Sequence, residues 1–167
     1  MVNCGNAGSP GVSVFGSSVE RMFLGQFCHS CDDRGRLTIP FRFRDLLVPD
    51  GAYIMQGFDH NLMVLPSPRF ELLSHRVNKI SMTDPTARLL RRLLFSTADR
   101  VEVDKVGRIL IPQFLRHIVG VESQLVVVGM GDYFEIWTPA EWEVQNEKLS
   151  DAQSNAHRFA ALDLASE

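Results

Sequence analysis

Cysteine is scarce in this chain of 167 residues: there are three, Cys4, Cys28 and Cys31. So small and odd a number builds no disulfide framework and fits a reducing compartment. Cys28-His29-Ser30-Cys31 has the spacing of a metal or redox pair. No second cysteine pair is present to complete a zinc site. A redox pair would open a helix after a strand, whereas this one lies in a predicted strand from Met22 to Cys31. The two are read as strand cysteines. The histidines, His29, His60, His75, His117 and His157, show no metal-ligand spacing, so the metal expectation is none. An excess of basic charge is also missing: the net charge is −3 and the pI about 5.9, so a polyanion partner would have to be held by local charge. No apolar run approaches the ~18 residues that span a bilayer, which predicts a soluble protein with no membrane partner. Phosphate-cradling loops need several glycines and a following lysine, and Gly25, Gly35, Gly57 and Gly107 stand alone. Neither a nucleophile–base pair nor paired carboxylates can be found. The expectation is no enzyme, no cofactor and no small-molecule substrate.

What the chain does contain is one motif twice. Asp32-Asp33-Arg34-Gly35-Arg36-Leu37-Thr38-Ile39-Pro40 returns as Asp104-Lys105-Val106-Gly107-Arg108-Ile109-Leu110-Ile111-Pro112, an offset of 104 − 32 = 72 residues. The register continues past the motif: Arg44 falls on Arg116, Gly57 on Gly129, Val64 on Ile136 and Phe70 on Trp142. Two long copies, unlike the many short ones of a solenoid, point to an internal duplication forming a single pseudo-twofold domain. A chain of this length is large enough for one such core.

In chain order, residues 1–21 are rich in Gly, Ser, Asn and Ala. That composition predicts a disordered extension or an expression remnant, without the pattern of a secretory signal. Met22-Phe23-Leu24-Gly25 looks like a native beginning. Asp32 to Gly35 predicts a tight turn, with Asp bonding backbone amides and Gly supplying positive φ. Leu37-Thr38-Ile39 is a short strand, and Pro40 opens a short helix to Leu47. Tyr53–Met55 and Leu62–Leu65 are strands. Ser67-Pro68 reads as an N-cap with proline at the first helical position, for a helix to about Ile80. Thr83-Asp84-Pro85 starts another to about Phe95, with Leu89, Leu90, Leu93 and Leu94 inward and Arg88, Arg91 and Arg92 on the solvated side. The second half repeats the plan. A strand at 101–103 leads to the Gly107 turn, a strand at 109–111 and a helix from Gln113 to Val119 closed by Gly120. Strands at 124–128 and 133–137 follow, and Thr138-Pro139-Ala140-Glu141 is a capping box for a helix to about Lys148. The tail from 151 to 167 is a frayed or partner-dependent helix. The predicted fold class is mixed β and α, mostly β: a small barrel with helices outside, built by two halves burying their apolar faces together.

The repeated motif has a structural reading and a functional one. Asp32 and Asp104 can cap their turns and pair with Arg36 and Arg108. Alternatively, two acids and four arginines lie between Asp32 and Arg44, so 4 − 2 leaves a local charge of +2 in an acidic protein. Arginine suits bidentate contact with phosphates and guanine edges, and a two-stranded β element can enter the major groove.

Met22-Phe23-Leu24-Gly25, the two Asp-x-x-Gly-Arg motifs with their Pro40 and Pro112, Asp84-Pro85-x-x-Arg88, Arg91-Arg92-Leu93, Val128-Gly129 and Phe134-Glu135-Ile136-Trp137 closely resemble the bacterial MraZ proteins. The resemblance covers about Met22 to Lys148. It implies a duplicated double-split β-α-β barrel related to the AbrB superfamily, with a first repeat at 22–95 and a second at 96–150. It also implies ring-shaped homo-oligomers that bind direct repeats in promoter DNA upstream of the division and cell-wall gene cluster, in the cytoplasm and on the nucleoid. Residue by residue, the Asp-x-x-x-Arg signature maps onto Asp32/Arg36 and Asp104/Arg108, with Gly35 and Gly107 as turn residues. Arg36 is implied as the main DNA contact, supported by Arg34 and Arg44, with Arg108 as its second-copy counterpart. Val106 stands where the first copy has Arg34, which implies unequal halves.

The leading reading is therefore a ring-forming, sequence-specific DNA-binding regulator of transcription. The alternatives are a ring-shaped protein-interaction scaffold that touches no DNA, and an enzyme using Cys28 and Cys31.

Overall fold

A computed structural model describes residues 21–162. The extension read at 1–21 and the end of the tail, 163–167, lie outside the described residues apart from Arg21. Eight strands and six helices follow one another. The first half has β1 (Gln26–Ser30), β2 (Arg36–Thr38), α1 (Phe41–Leu47), β3 (Ala52–Gln56), β4 (Leu62–Pro66) and α2 (Ser67–Asn78). After α3 (Pro85–Phe95) come β5 (Asp99–Val101), β6 (Arg108–Leu110), α4 (Gln113–Val119), β7 (Gln124–Gly129), β8 (Phe134–Trp137) and α5 (Pro139–Ser150). A last helix, α6 (Ala152–Ala160), occupies part of the predicted tail. It is capped by Asp151 and buries none of its side chains.

The mixed character agrees with the sequence reading, but the helices hold more residues than the strands, so "mostly β" describes the frame rather than the residue count. Six strands form one antiparallel sheet in the order β1-β7-β8-β4-β3-β5, and β2 pairs with β6 in a separate ribbon. Exchanging β1 with β5, β2 with β6, β3 with β7 and β4 with β8 returns the same pairings. Each motif strand thus pairs with the other motif strand, and each half supplies an edge strand to the other.

The sheet has two covered faces because its strands alternate. On one face Ile54, Leu62, Val64, Leu125, Val127, Phe134 and Ile136 meet Leu37, Ile39, Ile109 and Ile111 of the motif segments. Phe43 and Phe23 close that core with edge-on aromatic contact at 5.0 Å. On the other face Met55, Met63 and Leu65 lie under α2 and α3, while Val126, Val128 and Trp137 lie beside Trp142 of α5. Glu135 also lies on that face, buried, opposite Met63. Its carboxyl accepts a hydrogen bond from the Trp137 indole at 2.9 Å, and burial pushes its pKa up.

Some local expectations are corrected. Ser67 does not cap α2; it lies inside the helix, and its hydroxyl donates to the Asp50 carbonyl at 2.8 Å. Asp84 caps α3 as read, accepting from the Thr86 and Ala87 amides. Leu89 is 63% exposed instead of buried, because Ala87, Leu90 and Leu94 form the stripe that meets the sheet. Arg91 is not on a solvated face: its guanidinium donates to the carbonyls of Val77, Asn78 and Ile80, closing the C-terminal end of α2. Arg88 binds the Met82 and Thr83 carbonyls. In the predicted capping box Thr138 accepts from the Glu141 amide at 3.4 Å, but the Glu141 side chain turns away to His60.

Candidate nucleic-acid interface

Each motif builds the same turn from the same atoms. Asp32 Oδ1 accepts from the amides of Arg34 at 3.0 Å and Arg36 at 2.9 Å. Asp104 Oδ1 accepts from Val106 and Arg108, each at 2.9 Å. The glycine amide returns to the aspartate carbonyl at 3.0 Å in both turns. Gly35 and Gly107 have φ of +85° and +86°, a region in which a side chain is strained. The second carboxylate oxygen then takes the arginine: Arg36 Nε donates to Asp32 Oδ2 at 2.6 Å and Arg108 Nε to Asp104 Oδ2 at 2.9 Å. The amide bond from Arg36, more than the guanidinium, holds the Asp32 carboxyl below its ordinary range, and the Arg108 amide does the same for Asp104. Both aspartates are therefore charged acceptors that lock their arginines in place.

The turns are joined across the ribbon. Ile39 donates to the Gly107 carbonyl at 3.0 Å, and Ile111 to the Gly35 carbonyl at 2.8 Å. The helix following each motif reaches the other turn. A Cβ on Gly35 would meet the Arg116 guanidinium and lie 2.8 Å from the Ile111 carbonyl oxygen, and a Cβ on Gly107 would fall inside the guanidinium of Arg44. Arg44 Nε also donates to the Ile39 carbonyl at 2.9 Å. Arg44 therefore stands against the second turn, not beside Arg36 and Arg34 in the first. Sequence spacing could not place it, because the crossing depends on the β2–β6 pairing. The matching of Arg44 with Arg116 at the repeat offset was the available signal for Arg116 as a site neighbour.

Register decides what the ribbon presents. Arg36 pairs with Leu110, Leu37 with Ile109, and Thr38 with Arg108. Leu37 and Ile109 are buried in the core, so Arg36, Thr38, Arg108 and Leu110 project from the outward face. Arg36 and Arg108 lie on a diagonal of that face, and Arg108 Nη1 comes within 3.9 Å of Asp32 Oδ2. Arg34 is exposed at the tip of the first turn. At the second tip Val106 is 66% exposed. Phe41 is 75% exposed, with the Arg44 guanidinium 5.8 Å from its ring centre. Arg34, Arg36 and Arg108 thus share one surface of the ribbon and its first turn, while Arg44 backs the other end.

Cys31 is a buried free thiol, and Cys28 packs against the cluster of Val126, Val128, Trp137 and Trp142. Among the described residues no group of three or more His, Cys, Asp or Glu is placed to hold a metal ion. None of the described helices is long and apolar enough to cross a membrane.

The MraZ family model, described as an MraZ protein and antitoxin-like, matches the chain twice, over residues 22–93 and 94–164. A protein of Thermomicrobium roseum named transcriptional regulator MraZ is 43% identical over 142 residues, covering 84% of this chain and 99% of that protein. One of the same name from Roseiflexus castenholzii is 43% identical over 139 residues, covering 83% and 94%. Another from Desulfitobacterium hafniense is 36% identical over 135 residues, covering 81% and 94%.

Proposed function

The chain belongs to the MraZ family, a family of proteins named as transcriptional regulators and not as enzymes, and from that footing we propose that it is a sequence-specific DNA-binding regulator of transcription. In this reading it works as a ring-forming homo-oligomer on direct repeats in promoter DNA of the division and cell-wall gene cluster, in the cytoplasm and on the nucleoid. The fold is read as the duplicated double-split β-α-β barrel, with repeats at 22–95 and 96–150; the symmetric strand order supports it.

The observation that carries the function is the outward face of the β2–β6 ribbon. It presents Arg36 and Arg108, each fixed by a charged aspartate, beside the exposed Arg34. A fixed guanidinium loses little freedom on meeting a phosphate or a guanine edge. A two-stranded ribbon fits the major groove. One ribbon would bind weakly, and several from a closed ring, meeting successive repeats, bind together with a large gain in effective concentration. Arg36 is the principal contact, Arg34 and Arg108 support it, and Arg44 acts by holding the second turn. Asp32, Asp104, Gly35 and Gly107 set the geometry.

The test is titration of promoter duplex carrying the repeats at two salt concentrations. Affinity should fall steeply with salt, by roughly 0.9 log units per phosphate neutralised per log unit of salt. Arg36→Ala should abolish the preference for the repeat duplex while leaving the chain folded. Unchanged affinity in that variant overturns the reading. The scaffold alternative draws on the net charge of −3 and on the exposed apolar side chains of Val106 and Phe41. It requires no salt-dependent DNA binding at all.

A further inference from the structure

The outward face of the ribbon carries one apolar side chain. Leu110 is 54% exposed, whereas Leu37, Ile39, Ile109 and Ile111 are buried. A single exposed leucine on a protein surface is ordinary. This one sits directly across the ribbon from Arg36, on a face otherwise made of Arg36, Arg108 and Thr38. The repeat offset matches Leu110 with Thr38, so the two halves differ at this outward position.

We propose that Leu110 is a specificity-determining residue that covers the C5-methyl group of a thymine one or two base steps from the guanine met by Arg36. This rests on the DNA-binding reading above and goes further, by naming a base and a position. Directly opposed side chains on a ribbon have Cβ atoms about 5 Å apart. Base pairs stack about 3.4 Å apart. The thymine is therefore one or two steps from the guanine. In the major groove the thymine methyl is the apolar feature among otherwise polar base edges. Leucine has no hydrogen-bonding atom in its side chain, so that methyl is the feature of the groove it can discriminate. Thr38, paired with Arg108, offers a methyl and a hydroxyl and is the less selective of the two.

The experiment uses the full chain and a pool of random-sequence duplexes. The retained duplexes are sequenced, and one is resynthesised with each thymine replaced in turn by deoxyuridine, which lacks only the methyl. Deoxyuridine at one position within two steps of a guanine should weaken binding by the unsubstituted chain about fourfold, the scale of one buried methyl group. Leu110→Ser should bind the thymine and deoxyuridine duplexes equally. If every deoxyuridine duplex binds like its parent, or if the penalty has the same size in Leu110→Ser, the inference is wrong while DNA recognition stands. Where Leu110→Ser does not fold, Leu110→Ala takes its place, and a penalty of the same size in that variant overturns the inference in the same way. If no duplex is retained above the random pool, the DNA-binding reading itself fails, and this inference with it.

Discussion

The turn at Asp32–Gly35 and the turn at Asp104–Gly107 share their hydrogen bonds almost atom for atom, yet their surroundings differ. In each, one carboxylate oxygen takes two amides and the other takes an arginine. Around the first turn stand the exposed Arg34 and, from the other half, the guanidinium of Arg116. Around the second stand the exposed Val106, with Arg44 and Phe41 from the first half. Aspartate and glycine thus fix the backbone, and the positions between and beyond them are free to diverge. The first tip presents Asp33 and Arg34, the second Lys105 and Val106, all four exposed. A duplicated fold can in this way hold its architecture constant while the side chains at its two tips diverge.

The comparison breaks most visibly at the two arginines. Arg36→Ala should lower affinity for repeat-bearing duplex by about 30-fold or more, since one bidentate base contact contributes about 1–3 kcal/mol and is repeated over subunits. Arg108→Ala should cost less than about fivefold. Equal losses, read by fluorescence anisotropy, would mean that both halves contact DNA alike. The glycines come next. Gly35→Ala should destabilise the chain by about 2–4 kcal/mol, because its positive φ adds strain and the new methyl meets the Ile111 carbonyl. At Gly107 the obstruction is the Arg44 side chain, which can move, so Gly107→Ala should cost about 1–2 kcal/mol. Chemical denaturation of the two variants orders them.

Smaller effects sharpen the contrast. Val106→Arg restores at the second tip the residue that the first one has. It should steepen the salt dependence by roughly 0.9 log units for each phosphate gained. An unchanged slope would place that tip away from the duplex. The aspartates give the weakest signal. Their carboxyls are held below the ordinary value of 3.8, chiefly by the following arginine's amide. The stabilisation they give is complete above that value and disappears as pH falls through the lowered one. Thermal midpoints followed from neutral pH downwards should decline in that window. Asp32→Asn should flatten the decline more than Asp104→Asn, since Asp32 lies near Arg108 as well as Arg36.

Local chemistry was the legible part of this fold. The turns at Asp32 and Asp104, the helices opening after Pro40 and Pro112, the Asp84 cap and the stop at Gly120 are each set by neighbours within a few residues. The error at Ser67 is instructive, for the hydroxyl that could have capped a helix was taken by the distant Asp50 carbonyl. Leu89 was misplaced because a helix of several leucines does not say which of them the sheet will cover.

Residue order alone thus settled the duplication, the shape of both turns and the identity of the arginines they hold, since an aspartate bonding two to four positions ahead needs no other part of the chain. Tertiary structure decided that the two motif strands pair with each other, that Arg44 and Arg116 cross to the opposite turns, and that Leu110 lies opposite Arg36. Those contacts span some seventy positions of sequence, and only the packing of both halves onto one shared core fixes which side chains meet.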